Sequence, residues 1–254
     1  MKVQLIRNAT LRLHYAGHVI LIDPDLAPAF SRRSFTGRSP NPMVELPIPI
    51  DQILQDVELV VVSHLHQDHF DTVAYEVVPK HLPLVCQPGD EEFIRSKGFQ
   101  DVTPLESSYG QGIHCTRIGG HHGTGEVETI MKNVMGMIIQ AAGEPTIYWA
   151  GDTILCDEVR QAIAEYAPDV IITHSCGAMW PDSAGERWLI VMDADQTIET
   201  CRIAPPQTTI IATHMEALDH ATTTRGDLRN AATSAGISPN ELLIPADGES
   251  LELG

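Results

Sequence analysis

Basic residues are scarce in this chain: 16 Lys and Arg stand against 34 Asp and Glu, a formal net charge of −18. A protein that grips a nucleic-acid backbone needs basic surface to neutralise phosphates, so nucleic acid is not an expected partner. No apolar run reaches membrane-spanning length, so no membrane association is expected either. The opening stretch MKVQLIRNATLRLHYAGHVILID alternates apolar and polar residues, lacks a signal-peptide cleavage pattern, and reads as strands. Cysteine is sparse: Cys86, Cys115, Cys156, Cys176 and Cys201 are odd in number, scattered, and never spaced as a CxxC pair. Reduced thiols in a cytoplasmic protein fit that usage. A low-complexity tract, a long charge block and a linker are also missing, as is the GxSxG signature of a serine nucleophile.

What is present suffices for a substantial core, with 43% hydrophobic residues. Strands are expected at 3–6, 11–14, 19–22, 59–62, 84–86, 113–118, 134–139, 147–149, 170–173, 209–212 and 242–244. Helices should follow Phe70, Pro88, Thr153, Asp195 and Thr224, with Asp193, Asp195 and Thr222–Thr224 as caps. The early segment is a meander and the remainder becomes strand–helix units. Runs such as ELVVV and DVIIT are apolar throughout, as in strands covered on both faces. The arrangement implied is an α/β four-layer αββα sandwich, one domain spanning residues 1–254. Residues 25–50 break the pattern: proline-rich and aperiodic, they carry Arg32, Arg33 and Arg38 in a chain short of cations. A long loop of this kind is either a functional lid or a solvated insertion.

The run SHLHQDHFD is the most informative stretch. His64, His66, Asp68 and His69 put three imidazoles and a carboxylate within six residues, directly after Val60–Val62. Imidazole and carboxylate suit zinc, iron or manganese, and the end of a buried strand is where open α/β sheets place their sites. One motif cannot close two metal sites, and three further candidates also lie just beyond expected strands. GGHHGTGE offers His121 and His122, AGD offers Asp152, and THME offers His214.

The ordered set, HxHxDH followed by a His, an Asp and a last His, resembles the metallo-β-lactamase-fold hydrolases. LIDPDL, GGHHGTGE, YWAGDT and ATHMEALDH look most like the branch containing L-ascorbate-6-phosphate lactonase. The resemblance implies the αββα sandwich with its site at the sheet edge. Carried over, it implies that His64, His66 and His122 hold one divalent ion, that Asp68, His69 and His214 hold a second, and that Asp152 bridges. The resemblance favours His122 over His121, because related sequences end this strand with a His followed by a small residue, here Gly123; the adjacent His121 would then point the other way or line the pocket. Asp23 would orient a ligand imidazole. His220 is the proton-donor candidate, and Asp68 could also hold the attacking water. His174 and the three loop arginines are candidate substrate contacts. His14, His18, His81 and His114 have no ligand context.

Two metals sharing a water lower its pKa into the neutral range, so hydrolysis is the expected chemistry. Zinc is the first expectation for the metals, with manganese or iron as alternatives. The expected substrate is a small polar metabolite, anionic if the loop arginines read charge, cleaved at a lactone, ester or amide bond. A small-molecule phosphodiesterase and a mononuclear iron oxygenase of the same fold are the alternatives. Self-association is left open.

Overall fold

The computed structural model describes residues 1–106, 108–109 and 112–253. Two mixed sheets face each other. The first contains β1 (Lys2–Arg7), β2 (Thr10–Tyr15), β3 (His18–Ile22), β4 (Leu59–Val62), β5 (Leu84–Cys86) and β6 (Val102–Pro104) in that order, with the last strand of the chain, β16 (Ser250–Glu252), beside β1. The second has seven strands in the order β15-β14-β11-β10-β9-β8-β7, namely β7 (Ser108–Tyr109), β8 (His114–Ile118), β9 (Gly136–Gln140), β10 (Ile147–Trp149), β11 (Val170–His174), β14 (Thr209–Thr213) and β15 (Leu242–Leu243). A separate hairpin, β12 (Met179–Pro181) with β13 (Arg187–Leu189), stands beside the second sheet in sequence.

Strand alternation builds the layers. Leu59 and Val61 point inward and pack with Ile147, Trp149, Ile172 and Ile211 of the opposite sheet, while Val60 and Val62 point outward. The outward residues meet helices: α1 (Ile50–Leu54), α2 (Thr72–Val77) and α3 (Glu91–Ser96) supply Ile53, Ala74 and Ile94 over the first sheet. α4 (Gly125–Met131) buries Val127 and Met131 in a small cluster with Ile190 and Val191. Over the second sheet, α5 (Asp157–Tyr166), α6 (Ala194–Ile203) and α7 (Arg225–Ser234) pack Val159, Ile163, Ile198 and Leu228 against Tyr148, Ile171 and Ile210. This is the expected αββα order of layers. Among the described residues no helix is long and apolar enough to cross a membrane.

The local signals held where chemistry forces a boundary. Asp193 caps α6 by accepting from the Gln196 N–H, whereas Asp195 lies inside the first turn. Thr224 and Asp227 form a reciprocal capping box on α7. Asp71 caps α2. The helix expected after Thr153 starts only at Asp157, because Thr153 and Leu155 are first engaged by His121 and Gln196. The strand expected from Val134 begins at Gly136. α1, α4, β6, β7, β16 and the β12–β13 hairpin were not anticipated.

Candidate metal centre and active site

The ligand-bearing loops leave the ends of β4, β8, β10 and β14. β8 and β10 are each antiparallel to β9 and so run the same way, and β10 and β14 are each parallel to β11. Their carboxyl ends therefore open at one edge. Gly151 lets the β10 loop turn there: its φ is +68°, and a Cβ would sit 2.6 Å from the Met135 carbonyl oxygen. His214, with φ 62°, adopts the left-handed region as a non-glycine residue, and Asp23 does so at φ 47°. Such strained positions cluster at functional sites.

The seven anticipated residues converge. His64, His66 and His122 form one donor group, and His69, Asp152, His174 and His214 a second. His64 Nε2 lies 2.9 Å from His66 Nδ1. His69 Nε2 and His214 Nε2 are 3.2 Å apart. Asp68 Oδ2 is 3.3 Å from His214 Nε2 and 3.5 Å from His69 Nε2. Asp152 Oδ2 lies 3.2 Å from His69 and 3.5 Å from His122, and its Oδ1 is 3.6 Å from His214. The carboxylate of Asp152 thus stands between both groups.

These spacings fit a metal shell. Tetrahedral zinc bonds of about 2.0–2.1 Å place neighbouring donors roughly 3.3 Å apart. The donor chemistry agrees: five imidazoles and two carboxylates, with no thiolate, suit zinc, manganese or iron. Electrostatics adds a further argument. Burial opposes charge on His69, yet Asp152, Asp68 and Asp23 outweigh it and push its pKa up to about 10. His214 is likewise raised, burial being overcome by Asp152 in particular. Burial instead lowers His64, His66 and His122, the last to about 4. The enclosed carboxylates call for positive charge, and neutral imidazoles beside them are ready to coordinate.

A supporting layer fixes the ligands, the task expected of Asp23. His69 Nδ1–H donates to Asp23 Oδ2 at 2.7 Å, and Ser63 donates its backbone N–H and its hydroxyl to the same carboxylate. Ser63 Oγ also contacts His64 Nδ1 at 2.8 Å. His122 Nδ1–H donates to the Ile190 carbonyl at 2.8 Å, which turns Nε2 inward. Asn8 ties two motifs together, its side-chain amide donating to the Asp68 carbonyl and its own carbonyl accepting from the His214 N–H. Asn8 escaped notice in the sequence because a lone Asn in a turn carries no ligand signal.

His122 faces the cluster and His121 faces away, toward Glu128 and Glu158. His174 differs from expectation. It is fully buried behind the site, where its Nδ1–H donates to Asp152 Oδ1 at 2.6 Å, so it positions the central carboxylate and does not line the cavity. His220 does line the cavity, but burial lowers its pKa to about 4. At neutral pH it is an uncharged imidazole, so the acid role expected of it becomes that of a hydrogen-bonding or proton-accepting group.

The arginines of residues 25–50 also fall elsewhere. Arg32 forks onto the buried Asp25, which also meets the fully buried Arg7. Arg33 is exposed, and Arg38 reaches only the Ala221 carbonyl. None of the three lines the cavity over the metal ligands. What the loop delivers there is Phe35, edge-on to His220 and Trp180 at centroid distances of 4.9 and 5.6 Å. Asp219 anchors it, accepting from the backbone N–H groups of Phe35 and Thr36, the hydroxyls of Ser34 and Thr36, and the Asn41 amide. Burial works against the Asp219 charge, but these donors outweigh it and hold the carboxyl well below the usual range.

The cavity measures about 370 Å³. Its floor is His66, Asp68, His122, Asp152 and His214, and its walls are Phe35, Leu65, Ile130, Met131, Trp180 and Ile190. Among the described residues no Lys or Arg lines it. A second cavity of about 280 Å³ opens beside His64 and His66, with Gln87, Asp90 and Lys132 at its rim.

Fold and donor set together define a metal-dependent hydrolase, and comparison with known proteins places the chain more closely. Residues 18–215 match the beta-lactamase superfamily domain, and the chain belongs to that family. It is 36% identical to the UPF0173 protein YddR of Bacillus subtilis, over 98% of this chain and 99% of that one. Among solved structures, a possible metal-dependent hydrolase from Veillonella parvula superposes with a TM-score of 0.94 at 35% identity, covering 100% and 99% of the two chains. An isothiocyanate hydrolase from Delia radicum gut bacteria gives 0.91 at 34% identity, with the same coverage.

Proposed function

We propose that this hydrolase attacks the electrophilic carbon of a small, uncharged substrate that carries an apolar substituent, and that an isothiocyanate is the leading candidate. The observation that carries this reading is the cavity itself: a floor of imidazoles and carboxylates, aromatic and aliphatic walls, and, among the described residues, no Lys or Arg lining it. Similarity to the isothiocyanate hydrolase over the full chain supports the same choice.

His64, His66 and His122 would hold one divalent ion, and Asp68, His69 and His214 the other, with Asp152 between them. When bound, such ions lower the pKa of a shared water and polarise the electrophile. The chain's own residues then set orientation and dryness. His174 and Asp23 keep Asp152 and His69 from rotating, which fixes where the nucleophile and the electrophile meet. Phe35, Trp180 and Ile190 take up the substituent and exclude bulk water. Neutral His220 offers an imidazole able to receive a proton or steer the departing heteroatom. For an isothiocyanate, one water adds across the carbon–nitrogen bond, that bond breaks, and an amine and carbonyl sulfide leave.

A lactone or ester with an apolar chain is the second reading, because the same attack on a neutral carbonyl carbon suits the same walls. The anionic metabolite expected from the loop arginines finds no support in the cavity, since none of those side chains lines it. The test is a metal-reconstituted screen of phenyl- and alkyl-isothiocyanates, neutral lactones and a small phosphodiester. The proposal expects the highest kcat/KM for isothiocyanates, rising with substituent size up to the cavity volume. Faster turnover of the phosphodiester would overturn it in favour of phosphoryl chemistry.

A further inference from the structure

Away from the central cluster, His121, Cys156 and Glu158 bring one nitrogen, one sulfur and one oxygen within 4.8 Å of one another. We propose that these three side chains form a peripheral cation site for a borderline-to-soft divalent ion of the zinc, cobalt or cadmium class.

Three observations carry the proposal. First, the donors come from separate segments, the loop after β8 and the start of α5, so their meeting is a product of the fold and not of sequence adjacency. Second, the His121 ring is held from both sides. Glu128 engages Nδ1, while Nε2 lies 3.2 Å from Glu158 Oε1. A carboxylate on the far nitrogen is the arrangement that orients ligand imidazoles and raises their basicity. An ion pair would account for His121 between the glutamates, and Thr153 Oγ1 meets the Cys156 sulfur at 3.7 Å; a cation would give nitrogen, sulfur and carboxylate one common partner. Third, the mixed N, S, O set differs in kind from the two central donor groups, neither of which has a cysteine among its members. Sulfur favours zinc-like ions over magnesium or calcium.

Half-exposure of His121 and Glu158 leaves room for solvent ligands, which suits reversible occupancy. The site is also joined to the active centre. The His121 N–H donates to Thr153 Oγ1 at 2.9 Å, and the Ile154 N–H donates to the His121 carbonyl at 2.9 Å. His122 and Asp152 are the immediate neighbours of these residues. An ion across His121 and Cys156 would therefore clamp the two loops that supply the first ion's imidazole and the central carboxylate.

Cobalt(II) separates this site from the catalytic one, because only a thiolate ligand gives the intense near-ultraviolet sulfur-to-cobalt charge-transfer absorption. Metal-replete protein, freed of loosely held ions, is titrated with cobalt(II) while absorbance and bound equivalents are followed. The wild type should develop the band and take up one equivalent more than Cys156→Ser or His121→Ala. Both variants should lose the band while keeping the wild-type far-ultraviolet circular dichroism. Glu128→Gln should weaken cobalt binding about 10- to 100-fold. Cys201→Ser should retain the full band. No band at saturating cobalt, or an undiminished band in Cys156→Ser, would overturn the proposal. Should Cys156→Ser misfold, Cys156→Ala is read by the same band and the same outcomes.

Discussion

The metal edge and the loop of residues 25–50 enclose the same cavity, yet they are specified by different physics. Three metal-edge residues lie just beyond a buried strand: His64 follows β4, Asp152 follows β10 and His214 follows β14. Fixing those strands places these three residues one to three positions beyond a strand end. The loop has no such strand. Its course is set by two carboxylates, Asp25 within the loop holding Arg32 and the distant Asp219 holding residues 34–36. Strand-borne chemistry is robust to loop change, whereas loop-borne specificity hangs on a few hydrogen bonds.

The largest expected effect is at the metal edge. Asp152→Asn should cut turnover by several orders of magnitude and lower bound metal, because one neutral amide replaces the carboxylate between both donor groups. Turnover and inductively coupled plasma measurements check this. Near-wild-type turnover would dissolve the contrast, since it would leave the edge no more essential than the loop.

Asp23→Ala should come next. It removes the acceptor for His69 Nδ1–H and for Ser63, and should weaken metal affinity about 10- to 100-fold with the fold retained. Competition with a calibrated chelator measures the change. An unchanged affinity would mean that packing alone orients His69.

The loop should respond differently. Asp219→Ala frees the donors of Ser34, Phe35, Thr36 and Asn41, and should cost on the order of 2–3 kcal/mol in urea unfolding. Metal content should be unaffected, and KM for apolar-substituted substrates should rise together with that of Phe35→Ala. If Asp219→Ala strips metal, the two regions are not separable. Neutralising Arg33 and Arg38 should change little, because neither faces the cavity.

The smallest effect concerns pH. Burial lowers the His220 pKa from 6.5 to about 4 in the folded protein, so between these values the unfolded chain binds more protons. Stability attributable to this group is complete above pH 6.5 and drains as pH falls through about 4. Chelated His220→Asn should therefore lose stability less steeply than chelated wild type across that window, by at most about 3 kcal/mol. Parallel acid limbs in urea titrations would show that His220 keeps access to solvent.

Strand positions, layers and ligand types were legible because strong local signals and tertiary demands agree. ELVVV, DVIIT and TIIAT are largely apolar on both faces, and each is followed by a polar residue, Ser63, His174 and His214. Elements without such agreement were missed. α4 begins among glycines and buries only Val127 and Met131, while β12–β13 exposes Arg187 and Trp188 and shows no half-buried alternation. Both supply cavity walls, so the gaps in the fold and in the substrate pocket have one cause.

By itself, the sequence determined which side chains could bind metal and which strands would present them, because a buried strand's end is a short covalent step from its ligands. Only the tertiary structure decided that His122 faces inward and His121 outward, that His174 stands behind Asp152, and that Phe35 rather than an arginine enters the cavity. Those outcomes depend on partners distant in the chain: the Ile190 carbonyl for His122, Asp152 for His174 and Asp219 for the turn bearing Phe35. Side-chain direction at such positions is chosen by whichever distant donor or acceptor is satisfied on burial, and no local pattern encodes that choice.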